Sequence, residues 1–420
     1  MVRRRWVVVV LSMALAVTGG VIPTQAVAAA SPAPRIGHAP VVVFPAFHFT
    51  KLRVVVHDQH VDSRCPRSGT FQDWFQNSVP SGFSQVCRDE LLTLRYDPDP
   101  RLPMARRFSD QRGVSVGLLD YGSLSSAPFY APLYAALEKA GWAPGKDIRV
   151  AGYDSRLTPD QGGFLNRTME LIERTSRANN DERVYLVGHS NGPLYAQYLL
   201  THTSREWRAK YVAGFTPIAG NFPGQGSLYS IAFTGLNIGH FSYPTTAANA
   251  VSSSRMYLAA PSTYMSMADP AVIGRSETVL SDASSGRRYY PADYRQLFTD
   301  AHLPIARQIA DYYIGFVKFR DPAHFPDVDV WAERGSGLPT MVGAQLPSLT
   351  IGQLTAPSTV FYTRDGDTNQ EDTTNTAILV WRAMHRYHFS LTDNPGVDHF
   401  SLPSDQQLLA RLITHAQDAT

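Results

Sequence analysis

The feature that most constrains the fold is an alternation of short apolar segments with helix-length segments between residues 114 and 202. The apolar segments have the length of buried strands, and parallel strands need a crossover that a helix can provide. The pattern predicts an α/β protein with a mostly parallel sheet covered by helices on both faces. The predicted elements are strands at 114–116, 148–153 and 184–187 and helices at 128–140, 163–177 and 193–202.

Segments outside this region extend the pattern. Val41-Val42-Val43-Phe44, between two prolines, predicts a short buried strand. Residues 47–112 are rich in turn residues, and a long irregular segment in a compact domain is often functional, for instance as a lid. The alternation fails in 220–350, which we interpret as an inserted cap with a helical stretch at 291–319. It returns as a strand at 359–363, a helix at 374–386, a strand at 388–391 and a helix at 405–416.

Domain boundaries follow from these patterns. We expect a signal peptide at 1–28, a linker at 29–40, a core formed by 41–62, 111–219 and 351–420, a lid segment at 63–110 and the cap at 220–350.

The first 28 residues have the composition of an export signal. Arg3, Arg4 and Arg5 precede an apolar run, and Ala26-Val27-Ala28 offers small residues for cleavage. A single N-terminal membrane anchor is the alternative, although the run is near the lower length limit for spanning a bilayer. Cleavage would leave 35 basic and 36 acidic residues, so nothing favours nucleic acid as a partner. We expect a secreted, extracellular protein.

The chain has two cysteines, Cys65 and Cys87. Exported proteins mature where disulfides persist, so we expect these two to be paired. Closing that loop would stabilise the fold by about 3 kcal/mol in the chain-entropy treatment. Two unrelated buried thiols are the alternative.

Gly188-His189-Ser190-Asn191-Gly192 matches the G-x-S-x-G nucleophile elbow, a sharp strand-to-helix turn that exposes a serine hydroxyl above a sheet. A second match, 113–117, is centred on Ser115, so the motif alone decides nothing. Ser190 follows a predicted strand and precedes a predicted helix, whereas Ser115 lies inside an alternating strand. We therefore predict Ser190 as the nucleophile.

A nucleophilic serine needs a histidine base and an acid that orients it, and in the α/β-hydrolase fold they follow in the order acid, then histidine. Asp365 and Asp367 both follow the strand at 359–363 and compete for the acid. His399 lies in the last loop before the C-terminal helix and is the predicted base. The other C-terminal histidines, which we expect to be surface or packing residues, are His385, His388 and His415.

The segment from Asp365 to Thr376 faintly resembles a calcium loop. Acidic or amide residues occupy alternate positions at its start, but Gln370 stands where such a loop needs glycine, and Thr376 stands where it needs glutamate. We expect neither a metal nor a cofactor.

Taken in order, these motifs resemble the lecithin:cholesterol acyltransferase and lysosomal phospholipase A2 family over most of the chain, from Val41 to His399. The features that carry the resemblance are Val41-Val42-Val43-Phe44-Pro45-Ala46, Cys65, Trp74, Cys87, Tyr153-Asp154-Ser155-Arg156, the elbow at Ser190, Gly366-Asp367-Thr368, Trp381 fourteen residues after Asp367, and His399 thirty-two residues after it.

The resemblance implies an α/β-hydrolase fold with Asp367 as the acid and Asp365 as a turn residue. It also implies an oxyanion hole formed by the backbone N–H groups of Phe47 and Asn191, although Phe47 is equally expected as a core or substrate-facing aromatic. The region closed by the cysteine pair would contact lipid surfaces, with Trp74 either facing substrate or simply packing. Asp154 and Arg156 match a family motif that we interpret as a structural ion pair.

Three departures concern the substrate and acceptor surfaces. Ala46 replaces the usual glycine, Ser155 replaces a tryptophan, and residues 217–221 follow the family's glycine-rich segment only loosely. The predicted catalytic positions are intact.

We therefore expect a secreted serine acyl hydrolase or O-acyltransferase that acts on glycerophospholipid esters. Water or a lipid alcohol would take the acyl group, and the enzyme would contact a lipid surface. The alternatives are a general secreted carboxylesterase or triacylglycerol lipase, and a catalytically inactive lipid-binding protein.

Overall fold

The computed structural model describes residues 37–74, 82–236, 246–353 and 360–419. The predicted signal peptide and most of the predicted linker lie outside this part of the chain. The strands are β1 (Val41–Phe44), β2 (Leu52–Val56), β3 (Gly69–Asp73), β4 (Arg95–Tyr96), β5 (Phe108–Ser109), β6 (Val114–Leu118), β7 (Ile148–Val150), β8 (Val184–His189), β9 (Val212–Ile218), β10 (Leu280–Asp282), β11 (Arg287–Tyr289), β12 (Val330–Ser336), β13 (Leu338–Leu346), β14 (Val360–Gly366) and β15 (Phe389–Pro395).

Helices surround these strands. The α-helices are α1 (Gln85–Leu92), α2 (Ala131–Lys139), α3 (Phe164–Ala178), α4 (Gly192–Thr201), α5 (Arg205–Tyr211), α6 (Ser227–Thr234), α7 (Ala247–Ala259), α8 (Pro261–Met265), α9 (Tyr294–Asp300), α10 (Pro304–Tyr313), α11 (Asp372–Thr376) and α12 (Gln406–Asp418). Short 3-10 turns occupy Met104–Arg106, Leu124–Ser126, Pro128–Tyr130, Pro291–Asp293, Pro322–His324, Ala377–Ala383 and Leu402–Ser404. Within the described residues, no helix is both long enough and apolar enough to cross a bilayer.

A parallel sheet forms the centre of the molecule, in the order β15-β12-β9-β8-β1-β7. The side chains of β1 alternate between two apolar clusters. Phe44 packs with the residues of α3 and α4, and Val43 packs with those of α2 and α12. Helices therefore cover both faces, as the alternation predicted, and the buried valines of β1 match a strand with no solvent-exposed side.

A small sheet near the N-terminal part of the described chain was not predicted from the sequence. Residues 114–118, predicted to belong to the core, form β6 in an antiparallel sheet of order β3-β2-β6. Val114 is buried and Ser115 is exposed, the one-sided alternation of a sheet with a solvated face. Residues 47–112, expected to be irregular, hold β2 to β5 and α1.

A second group of strands corrects the expected cap. Strand β12 falls within 220–350, yet it hydrogen-bonds to β9 and β15 in the central sheet. Strand β14, predicted to resume the core alternation, instead pairs with β13 in a mixed sheet of order β11-β10-β13-β14. Asp367 follows the C-terminal end of β14 directly and lies near the carboxyl ends of the central strands. The other boundaries of the core, lid and cap stay predictions.

The two cysteines form a disulfide, as predicted. Cys65 lies after β2 and Cys87 lies in α1, and their Cα atoms are 5.4 Å apart. The predicted ion pair is present as well, with Arg156 Nη2 2.6 Å from Asp154 Oδ2 and 2.8 Å from Asp110 Oδ1. The disulfide ties the segment after β2 to α1, and the ion pair ties the segment before β6 to the loop after β7.

Candidate active site

Ser190 occupies a strained turn between β8 and α4. Its φ is 59°, in the left-handed region that few residues other than glycine adopt. Two glycines make the turn possible. A Cβ at Gly192 would lie 2.1 Å from the Phe44 carbonyl oxygen, and a Cβ at Gly188 would lie 2.9 Å from the Pro193 nitrogen. The glycines of the motif are therefore required by close backbone approach.

His399 and Asp367 form a buried pair. The distance from His399 Nδ1 to Asp367 Oδ2 is 2.9 Å, and the two residues are 1% and 0% exposed. The other carboxylate oxygen accepts the backbone N–H groups of Asn369 at 3.0 Å and Gln370 at 2.7 Å. The backbone N–H of His399 donates to the backbone carbonyl of Asp367 at 2.7 Å. These contacts orient the ring so that its Nε2 is available for chemistry.

The structure separates the two competing aspartates. Asp365 is an exposed residue on β14, whereas Asp367 is buried beside His399. The remaining C-terminal histidines are elsewhere, since His385 and His388 are exposed and His415 stacks on Trp331 with ring centroids 4.8 Å apart.

Ser190 and His399 line one small cavity of about 20 Å³. Among the described residues, the Ser190 hydroxyl has no hydrogen-bond partner. Catalytic hydrogen bonds are often long in free enzymes and tighten once substrate binds. The arrangement can therefore bring a serine hydroxyl to one reacting atom together with a histidine that is hydrogen-bonded to a carboxylate.

Phe47 and Asn191 also line this cavity. The described part of the chain contains no acceptor for the backbone N–H of either residue. Asn191 directly precedes α4, where the backbone N–H groups of a helix carry partial positive charge. The residue before Phe47, Ala46, differs, because its backbone N–H donates to Tyr130 Oη at 2.8 Å. Two free backbone donors thus belong to residues that line the same cavity as the serine, and an oxyanion needs such donors.

A buried hydrogen-bonded relay joins these loops, and no sequence motif predicts it. The Ala46 N–H donates to the Tyr130 oxygen, and the Tyr130 hydroxyl donates to His189 Nδ1 at 3.0 Å. His189 Nε2–H donates to the His399 carbonyl at 3.0 Å. Burial and the neighbouring His399 hold the pKa of His189 well below its usual value, so the ring remains neutral and can accept from tyrosine.

Trp74 does not line the cavity. It follows β3, half-buried, with the Lys51 ammonium 5.3 Å from its ring centroid. Its role toward substrate stays a prediction. The cavity contains residues that no motif identified, because they come from segments distant in the chain: Gln225, Leu228 and Ser266.

A pair of buried glutamates lies at the end of β14. Glu371 Oε1 accepts the Gly226 N–H at 3.0 Å, and Glu277 Oε1 accepts the Thr373 hydroxyl at 2.7 Å. The second oxygen of each carboxyl group has no partner among the described residues. Burial, reinforced by the charge of Glu277, raises the pKa of Glu371 to about 8. The folded protein therefore retains a proton that the unfolded chain loses near pH 4.5.

This pair predicts a pH-dependent stability. Because the folded state binds more protons between those two pKa values, the free energy of unfolding should fall as the pH rises from about 5 to 8. Glu371→Gln keeps an oxygen for the Gly226 N–H and removes the charge, so it should flatten this dependence. The difference between the melting temperatures at pH 5 and pH 8 measures this dependence. Glu170→Gln, at an exposed position, is the control and should keep the dependence of wild type. Equal pH slopes in wild type and Glu371→Gln would contradict the assignment.

Comparison with known proteins agrees with this architecture. The lecithin:cholesterol acyltransferase family model matches residues 87–302, just over half of the chain. A lecithin-cholesterol acyltransferase-like 1 protein of Arabidopsis thaliana is 29% identical over 176 residues, 37% of this chain and 40% of that protein. A lysosomal phospholipase A and acyltransferase of Bos taurus is 25% identical over 304 residues, 71% of this chain and 70% of its own.

A solved structure shares the fold. A chain in the crystal structure of a Tle4–Tli4 complex aligns with a TM-score of 0.53 at 12% identity, covering 91% of this chain and 99% of that one. At this identity the likeness concerns the fold alone. With the parallel sheet and the elbow turn, it identifies an α/β-hydrolase fold.

Proposed function

This chain belongs to the lecithin:cholesterol acyltransferase family, and from that premise we propose that it cleaves glycerophospholipid esters through an acyl-enzyme on Ser190. Members of this family are acyl hydrolases and O-acyltransferases. The observation that carries the proposal is the buried hydrogen bond between His399 and Asp367 in the cavity that contains Ser190. No cofactor takes part.

In the first step, His399 Nε2 accepts the Ser190 proton while the serine oxygen attacks the ester carbonyl. The backbone N–H groups of Phe47 and Asn191 stabilise the negative charge on the carbonyl oxygen. Asp367 stabilises the protonated ring. The intermediate then expels the lysophospholipid alcohol, which takes the proton from His399, and leaves an acyl group on Ser190.

In the second step, water or an alcohol attacks the acyl-enzyme. His399 accepts the acceptor's proton and returns it to the serine oxygen. The cavity of about 20 Å³ is too small for an acyl chain, since ligand pockets usually measure about 300–1,000 Å³. Side chains around the cavity must therefore move apart when lipid binds.

Export is part of the proposal. The disulfide between Cys65 and Cys87 is of the kind that persists outside the cytosol. We propose that residues 1–28 direct secretion and that the protein meets its substrate at a lipid surface.

The deciding experiment incubates purified protein with phosphatidylcholine vesicles, with and without a lipid alcohol, and identifies products by mass spectrometry. Fatty acid, lysophospholipid and acylated alcohol are expected. Turnover of short soluble esters with intact vesicles would instead favour a general esterase. An inactive lipid-binding protein would fail to react with a fluorophosphonate at Ser190.

The relay through Tyr130 yields a prediction about positioning. Tyr130→Phe leaves the Ala46 N–H and His189 Nδ1 without partners, so the oxyanion loop and the base lose their common support. We expect kcat to fall about tenfold, equivalent to ~1.4 kcal/mol, with KM nearly unchanged. Tyr134→Phe is the matched control, because that hydroxyl donates to Ala127 O, outside the relay. The relay has no such role if both variants lose activity equally or if only KM changes.

A further inference from the structure

Five residues that line the active-site cavity have uncharged polar side chains, and we call this group the amide wall: Asn191, Asn221, Gln225, Asn369 and Ser266. The lining also contains three aromatic residues, Phe47, Phe49 and Phe400. An acyl chain suits the aromatic residues. The amide wall must contact a different part of the substrate or acceptor.

The amide wall is partly satisfied by its own hydrogen bonds. The Ser266 hydroxyl donates to Asn191 Oδ1 at 2.9 Å, and Gln225 Nε2 donates to Asn369 Oδ1 at 3.1 Å. Two buried atoms have no partner within the described residues, the donor Asn191 Nδ2 and the acceptor Asn221 Oδ1. These two residues are 2% and 3% exposed. An unpaired buried polar group costs stability, so such atoms in an active site point to a ligand.

The chemistry of the wall defines that ligand. No Lys, Arg, Asp or Glu side chain lines this cavity in the described part of the chain. A phosphate group would call for Arg or Lys, and a sterol ring system would call for a larger apolar surface. A hydroxyl group both donates and accepts, which matches one free donor and one free acceptor.

We infer that the amide wall binds the second hydroxyl of a small vicinal diol, such as a glycerol moiety, whose first hydroxyl is the acyl acceptor; this inference rests on the proposed function. The first hydroxyl attacks the acyl carbon, and its proton passes to His399 Nε2. The new C–O ester bond forms, the bond between the acyl carbon and Ser190 Oγ breaks, and His399 returns the proton to the serine. The second hydroxyl donates to Asn221 Oδ1 and accepts from Asn191 Nδ2.

The test compares two alcohols as acceptors with phosphatidylcholine vesicles as the acyl donor. 1,2-Propanediol and 1-propanol, at equal concentration, differ only by the second hydroxyl. Mass spectrometry gives the ratio of new ester to free fatty acid. We expect this ratio to be about fivefold higher for the diol, the scale of one neutral hydrogen bond. Equal ratios for the two alcohols would overturn the inference.

Variants then locate the effect. Asn221→Leu removes the acceptor and should abolish the preference for the diol in the ratio of new ester to free fatty acid. Asn166→Leu, an exposed position on α3, is the matched control and should retain the preference. If Asn221→Leu does not fold, Ser266→Ala replaces it, since it removes the donor that orients Asn191. A preference for the diol that survives in the folded cavity variant contradicts the inference.

The two proposals fail in different ways. If wild type forms neither fatty acid nor new ester from vesicles, the proposed function fails and the acceptor inference fails with it. If fatty acid is released without any preference between the alcohols, the hydrolase stands and the amide wall has no role in acceptor choice.

Discussion

Ser190→Ala is expected to lower kcat on a phospholipid ester by about a millionfold, the typical loss when a nucleophilic serine is removed from such a site. Alanine has no oxygen to attack the ester, so no acyl-enzyme forms. The oxyanion donors and the binding surface would leave a small residual rate over water. Steady-state rates on vesicles and on a short soluble ester measure the effect.

Ser115→Ala is the matched control, because Ser115 is the centre of the second sequence match. It is an exposed residue on β6 in a separate sheet, so its loss should leave kcat unchanged. The melting temperatures of both variants should remain close to that of wild type. If Ser190→Ala retains more than a hundredth of the activity, another nucleophile performs the chemistry.

The elbow at Ser190 could be predicted because its determinants are local. A strand, a helix and two glycines within a few residues specify the turn, and the close approach of Gly192 to the Phe44 carbonyl explains why glycine is needed. The buried strand Val41–Phe44 was also predictable, since its valines indicate burial on both faces.

Strand β12 was missed because its sequence is polar. Glu333 and Arg334 lie in its middle, and hydrophobic periodicity cannot recognise a strand with buried charge. The fold satisfies Glu333 with Arg411 from α12 at 2.7 Å and with Asn394 from β15 at 2.9 Å. These partners are about 60 to 80 residues away in sequence, so their pairing is visible only in three dimensions.

The amide wall escaped prediction for a related reason. Asn191, Asn221, Ser266 and Asn369 span nearly 180 residues of sequence, and only the fold of the segments around them brings them together. Asn369 lies in the segment from Asp365 to Thr376, whose faint resemblance to a calcium loop does not indicate a place in this cavity. The sequence therefore predicts the turn that holds Ser190, but not the polar residues that the fold gathers beside it.

Asp367→Asn is expected to lower kcat by about 10⁴-fold, as in other enzymes where the acid of such a triad is replaced by its amide. The hydrogen bonds of Asp367 explain why. Its Oδ1 accepts the N–H groups of Asn369 and Gln370, so an asparagine would keep its oxygen there and turn its NH₂ toward His399 Nδ1. That contact requires Nδ1 to accept, which moves the ring proton to Nε2 and blocks proton uptake from Ser190.

The adjacent candidate supplies the control. Asp365→Asn changes the same side chain two residues away, but Asp365 is exposed on β14, so kcat should stay within about twofold of wild type because no contact to His399 is lost. Since the substituted amide is isosteric, Asp367→Asn should fold and still bind vesicles. Retained folding and vesicle binding would show that the loss of kcat comes from the wrong tautomer of His399 and not from misfolding. A loss below tenfold in Asp367→Asn, or a matching loss in Asp365→Asn, would remove Asp367 from the mechanism.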